Sequence, residues 1–118
     1  MKVKVSELTG AALDWAVTRC IDPEIRLEHF MAVHGNYQQD NGTFEYSTEW
    51  ALGGQIIEQS GILLDGFSTD GCAYKSWSAS MLDMVNESGP TPLISAMRCL
   101  VASKFGVEVE IPEELCKL

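Results

Sequence analysis

A chain of 118 residues, 46% apolar and 21% charged, has ordinary globular usage; that excludes a disordered polymer and lets it bury ~65% of its unfolded surface. Its formal charge of −9, from 8 basic and 17 acidic residues, opposes nonspecific contact with nucleic acid, whose affinity comes largely from neutralised phosphates. Apolar runs such as Leu100–Val101–Ala102 are broken by Arg98 or Ser103, far short of the ~20 residues a membrane span needs.

The amino end, Met1-Lys2-Val3-Lys4-Val5, reaches Glu7 and Thr9 before an apolar run can form, which argues against a signal peptide and for the cytoplasm. Val3 and Val5 alternate with lysines as in a short or edge strand. Thr9 is placed to cap a helix reaching about Cys20, with Ala12, Leu13, Ala16, Val17 and Cys20 along one apolar stripe. Trp15 falls on the other side of that helix, beside Ala11, Thr18 and Arg19.

Residues 23–33 admit two readings. Asp22-Pro23 suits a helix start, yet Ile25, Leu27, His29, Met31 and Val33 alternate as in a strand. Gly35-Asn36 and Asp40-Asn41-Gly42 then act as turns before Thr43–Tyr46, which tips the balance toward strand. Gly53-Gly54 marks a break, followed by a short helix over Gln55–Gln59 that Gly61 closes. Ile62–Leu64 and Ala73–Ala79 read as strands joined by a segment with two turn signals, Asp65-Gly66 and Asp70-Gly71. Met81–Val85 is apolar without a clear period.

The clearest element is a helix with Thr91 as N-cap, Pro92 at its first position and Gly106 as a left-handed end. Leu93, Ile94, Ala96, Met97, Leu100, Val101 and Phe105 cover half its circumference, and the remainder is mostly small. So few charges predict burial on most sides. Val107, Val109 and Ile111 alternate with glutamates as a closing strand or arm. These elements predict one α+β domain over residues 1–118. A small mixed or antiparallel sheet packs in it against a buried C-terminal helix and an N-terminal helix.

Chemistry is harder to place. His29 and His34 stand five apart, which suits no zinc helix, and Cys20, Cys72, Cys99 and Cys116 include no C-x-x-C pair. Neither a metal nor any cofactor is expected, and the thiols read as reduced small hydrophobes. A serine–histidine–acid site remains open because its members need not be close in sequence, although no G-x-S-x-G elbow supports it. Gly53-Gly54 before Gln55 offers a weak anion site; Gly89-Pro90-Thr91-Pro92 is better read as a rigid start to the helix.

The more informative stretch is Tyr46-Ser47-Thr48-Glu49-Trp50, where two aromatics, two hydroxyls and a carboxylate could line a recognition pocket. Its structural alternative has Trp50 plugging the core and Ser47 or Thr48 capping a turn. Arg98, at the edge of the apolar arc, requires a partner once buried: Glu49 first, then Glu58 or Asp14, or an anionic ligand. Trp15 and Trp77 also lie outside the plainest core stripes, as core residues or as part of a surface aromatic patch.

Leu8-Thr9-Gly10 with Leu13-Asp14-Trp15-Ala16-Val17, and Tyr46-Ser47-Thr48-Glu49-Trp50 with Gly53-Gly54 and Ile56-Ile57-Glu58, resemble the NinX-like proteins of lambdoid phages and enterobacterial prophages. Gly89-Pro90-Thr91-Pro92-Leu93-Ile94, Ala96-Met97-Arg98-Cys99 and Ala102-Ser103-Lys104-Phe105-Gly106 resemble that family's C-terminal signature. Ser95 and Gln55 depart from its commoner alanine and proline, and residues 21–44 carry little resemblance. The family has no assigned molecular role, so no catalytic residue is carried over. The resemblance implies a phage or prophage origin and a bacterial cytoplasm.

The expectation is therefore a non-enzymatic binding module whose site draws on Tyr46, Ser47, Thr48, Glu49, Trp50, Gly53, Gly54, Arg98 and Trp15. Its partner is a host or phage protein or a second copy, with no direct nucleic-acid contact and no membrane. Two alternatives stand beside it. One is a small enzyme with Arg98 as anion clamp and Tyr46, Ser47 or Glu49 in the chemistry; the other is an acidic DNA mimic.

Overall fold

The computed structural model describes residues 1–34, 44–67, 76–81 and 85–116. In chain order the described elements are strand β1 (Lys2–Lys4), a 3-10 turn (Val5–Glu7), helices α1 (Gly10–Ile21), α2 (Leu27–Val33) and α3 (Trp50–Ser60), and strands β2 (Leu63–Phe67), β3 (Ser76–Met81) and β4 (Val85–Gly89). Helix α4 (Pro92–Phe105), strand β5 (Glu108–Glu110) and the one-turn helix α5 (Glu113–Cys116) complete the set. This is an α+β fold with two small antiparallel sheets, ordered β1-β5 and β2-β3-β4. None of the described helices is long and apolar enough to cross a membrane.

Helix α4 is the axis of the molecule. Thr91 Oγ1 accepts from the Ile94 amide at 3.1 Å, and Pro92 needs no partner at the first turn, so the start is fixed locally. Leu93 and every residue from Ser95 to Val101 are buried, because β3 and β4 cover one side while α1 and α3 cover others. Gly106 ends it with φ +86° and ψ −154°, a conformation open to glycine but outside the expected left-handed helical well. Gly89 lets β4 run close to this helix. A Cβ there would lie 2.9 Å from the Ser95 nitrogen.

On β4 the residues with little exposure are Val85, Glu87 and Gly89, while Asn86 and Ser88 are exposed, so Glu87 shares the side turned to α4. Trp77 on β3 stands between Gly66 and Gly89 in the register, its ring only partly exposed. The Asp65-Gly66 pair is therefore inside β2 and not a turn; residues 70–71 lie outside the described set. At the other end Val3 faces Val109, and the Val5 amide donates to the Val107 carbonyl at 2.9 Å. The closing alternation is thus a strand, short and paired to the first.

Helix α1 holds the expected place but buries more than one stripe: Leu13, Asp14, Trp15, Ala16, Val17 and Thr18 are all enclosed. Thr9 occupies the N-cap position without making the capping bond. Trp15 is core, 6% exposed, edge-on to Phe30 at 5.3 Å and under the Arg19 guanidinium at 6.0 Å. It joins no surface patch.

The strand expected after Asp22-Pro23 is a helix, α2, and it begins at Leu27. Asp22 Oδ1 accepts from the Glu24 amide, holding a turn and not a helix start. Period two fails because burial follows helical spacing: Phe30 and Val33 are inside, whereas His29 and Met31 are exposed. Nor is there a strand over residues 44–46; Phe44, with φ 78°, leads into turns. The turn signals at residues 35–36 and 40–42 lie outside the described residues.

The double glycine is not a break. It sits in the second turn of α3, an unbroken helix from Trp50 that Gly61 closes in the left-handed conformation, φ 66° and ψ 38°. Gly53 has a steric task, since a Cβ there would lie 2.5 Å from both the Tyr46 carbonyl oxygen and Leu93 Cδ2. As the helix starts three residues earlier, Gly53-Gly54 is no N-terminal anion cradle.

Candidate functional site

The turn from Glu45 to Glu49 joins the three helices α1, α2 and α3. Its backbone closes on Glu45, whose carbonyl accepts from the Glu49 amide at 2.9 Å and the Thr48 amide at 3.3 Å. It is tied to the core by Asp14, which is 2% exposed. Asp14 Oδ1 accepts from the Ser47 amide at 2.8 Å, and Oδ2 lies 2.8 Å from His34 Nε2, where the ring N–H donates to it. Thr18 Oγ1 donates to the Asp14 carbonyl at 2.8 Å, packing one more polar group into the same buried corner.

Aromatic stacking closes the corner. The His34 ring lies over Phe30 at 4.9 Å, Phe30 stacks on Phe44 at 5.4 Å, and His29 meets Phe44 edge-on at 5.8 Å. A serine, a histidine and a carboxylate therefore converge, but not as a nucleophile relay. The Ser47 hydroxyl is enclosed, has no hydrogen-bond partner among the described residues, and so is not held on His34. Only the backbone of Ser47 is used. Sequence spacing gave no sign of the Asp14–His34 pair, which joins residues twenty apart in the chain.

The five residues of the turn and helix start diverge in environment. Tyr46 is half-buried, and desolvation, then the nearby Asp14 carboxylate, raise its phenol pKa above the ordinary value. Ser47 is buried, Thr48 exposed, and Glu49 occupies the N-cap position of α3 without a side-chain capping bond. Trp50 does not plug the core. It is 55% exposed and lies along its own helix, where a Cβ on Gly54 would touch its Cε3 at an ordinary 3.7 Å.

Arg98 belongs to a different place. It is only 7% exposed, as a helix enclosed on most sides demands, but its partners are carbonyls. Nε donates to the Leu8 oxygen at 2.9 Å and a terminal nitrogen donates to the Ser88 oxygen at 2.7 Å. Neither Glu49, Glu58 nor Asp14 makes an ion pair with it; Asp14 is committed to His34 and Ser47. The fork of the guanidinium fits two chain segments at once, tying the segment before α1 to the end of β4. Glu87 is the carboxylate that acts on it through space. Burial raises the Glu87 pKa and lowers that of Arg98, and their mutual attraction partly offsets both shifts.

Beside Tyr46 a cavity of about 380 Å³ opens where α1, α3 and α4 diverge. Ile21, Leu52, Ile56 and Leu100 supply its apolar wall, with Lys104 at the end of α4. Arg98, Ser47 and Glu49 do not line it. Cys20 lines the same cavity, and burial pushes its thiol up to about 11 despite the opposing pull of Lys104. Cys99 is likewise raised to about 11, and its thiol donates to the Val85 oxygen at 3.8 Å. Cys20, Cys99 and Cys116 are free thiols; Cys72 lies outside the described residues.

The sequence blocks that build this arrangement, from the Leu8–Val17 segment through the Tyr46–Glu58 stretch to α4, fall within one family match. A comparison with curated proteins gives no match. The family model described as Bacteriophage P22, NinX matches residues 4–104, and the chain belongs to that family.

Proposed function

We propose that this phage-derived protein is a non-enzymatic binding module of the bacterial cytoplasm, whose contact surface centres on Trp50 and the turn before it. One observation carries the reading: a tryptophan 55% exposed at the first residue of α3, directly after a turn that a buried carboxylate holds in place. A large aromatic displayed on a rigid support can bury much apolar area at small entropic cost, which is how binding hot spots are built. Thr48, exposed beside it, adds a polar rim. The groups best suited to acid–base or anion chemistry, Asp14 and Arg98, are occupied with internal bonds, which favours binding over catalysis.

The partner is a host or phage protein, or a second copy of the chain. Capture from phage-infected cells with the wild type and with Trp50→Ala, alongside melting curves and sedimentation of both, tests this. The proposal expects a protein or self-association lost in Trp50→Ala at an unchanged melting temperature. Capture and self-association that survive the substitution would reject it.

A further inference from the structure

We propose that the cavity between α1, α3 and α4 is a binding site for a small amphipathic organic anion, an apolar body carrying one carboxylate. At about 380 Å³ it lies within the range of ligand pockets, roughly 300–1,000 Å³, at the end that suits a small guest. Ile56 and Leu100 form an apolar floor, 7% and 6% exposed, while Ile21 at the rim is 53% exposed and gains most from being covered.

The charge pattern selects the guest. The chain carries 17 acidic residues and a net charge of −9, yet among the described residues no carboxylate lines this cavity and the charged group on its wall is the exposed Lys104 ammonium; the Asp14 carboxylate acts on the Tyr46 end, which leaves the Lys104 end for the head of the guest. An anion, repelled by most of the molecule, meets a reversed local sign only beside such a group. Tyr46, with its hydroxyl, and the amides of Gln55 and Gln59, one turn apart on α3, supply polar contacts to orient it. Covalent capture by Cys20 is disfavoured, because a thiol held up near 11 stays protonated at neutral pH. The site is thus one for reversible binding; it shares Tyr46 with the turn before Trp50, but Trp50 itself does not line it.

Decanoate is the probe, with decanol and decylammonium as neutral and cationic counterparts, followed by methyl chemical-shift mapping and titration of the intact chain. Decanoate is expected to bind at up to about 1 mM, to shift the methyls of Ile21, Leu52 and Leu100, and to bind more tightly than either counterpart. Lys104→Glu, at an exposed position, should keep the fold and weaken decanoate at least ~3-fold while leaving decanol unchanged. Trp50→Ala should leave decanoate binding intact, which separates this proposal from the preceding one. Absence of binding at about 5 mM, shifts elsewhere on the molecule, or equal affinity in Lys104→Glu would each overturn it.

Discussion

Gly53 and Gly54 are neighbours on one helix, and replacing each by alanine should move stability in opposite directions. Both have helical backbones, so alanine gains up to ~1 kcal/mol of helix propensity at either position. At Gly54 the new methyl meets only Trp50 Cε3 at 3.7 Å, and the gain stands. At Gly53 it would lie 2.5 Å from a Leu93 methyl and from the Tyr46 carbonyl oxygen, against 3.4 Å or more for an ordinary contact. The leucine can rotate only within a packed core, and the carbonyl belongs to the turn that Asp14 anchors, so neither yields cheaply.

Overpacking costs ~1–3 kcal/mol, and a backbone obstacle puts this case near the top, leaving a net loss of about 2 kcal/mol. In thermal unfolding followed by circular dichroism, Gly53→Ala should lower Tm by roughly 6–12 °C and Gly54→Ala raise it by roughly 2–5 °C. Urea titration should place the two midpoints on opposite sides of the wild type. If both substitutions shift stability the same way, α3 does not approach the turn as closely as described, and the steric argument for Gly53 fails.

Arg98→Met should cost about 2–4 kcal/mol in urea titration, because two carbonyl oxygens lose their donor inside the fold. Arg98→Lys should recover less than half of that, since one ammonium cannot replace a planar fork between Leu8 and Ser88. Asp14→Ala should cost about 1–3 kcal/mol, for the Ser47 amide and the His34 ring both lose the group they bond inside the fold. The thiols set an alkaline limit. Cys20 and Cys99 are raised from 9 to about 11 by burial, so both states keep the proton below pH 9 and the folded state loses stability as pH climbs from about 9 through 11. Iodoacetamide should therefore label them slowly in the native chain at pH 8 and quickly once urea unfolds it.

What could be read from sequence was what is decided locally. Thr91, Pro92 and Gly106 fixed both ends of α4 because caps act within one turn, and its scarcity of charge announced its burial. The α+β class and the pairing-prone valines at both ends were visible for the same reason. The misreadings share another cause: tertiary contact overrode a local pattern. Gly53-Gly54 reads as a break until Leu93 and Tyr46 press on it, and residues 25–33 alternate like a strand although only Phe30 and Val33 are fully buried, with Ile25 and Leu27 packed at the core's edge. Trp15 sits off the first apolar stripe but inside the molecule, since α1 is covered on more than one side. Arg98 was rightly expected to need a partner, yet nothing in a sequence distinguishes a carboxylate from a carbonyl brought in by a distant loop.

The functional reading rests on the turn before Trp50 being held still by Asp14, and amide hydrogen exchange at Ser47 measures that directly. The Ser47 amide should exchange at least ~100-fold more slowly than an unstructured amide, and that protection should vanish in Asp14→Ala under conditions where the amides of α4 remain protected. A Ser47 amide exchanging at the unprotected rate in the wild type would contradict the account.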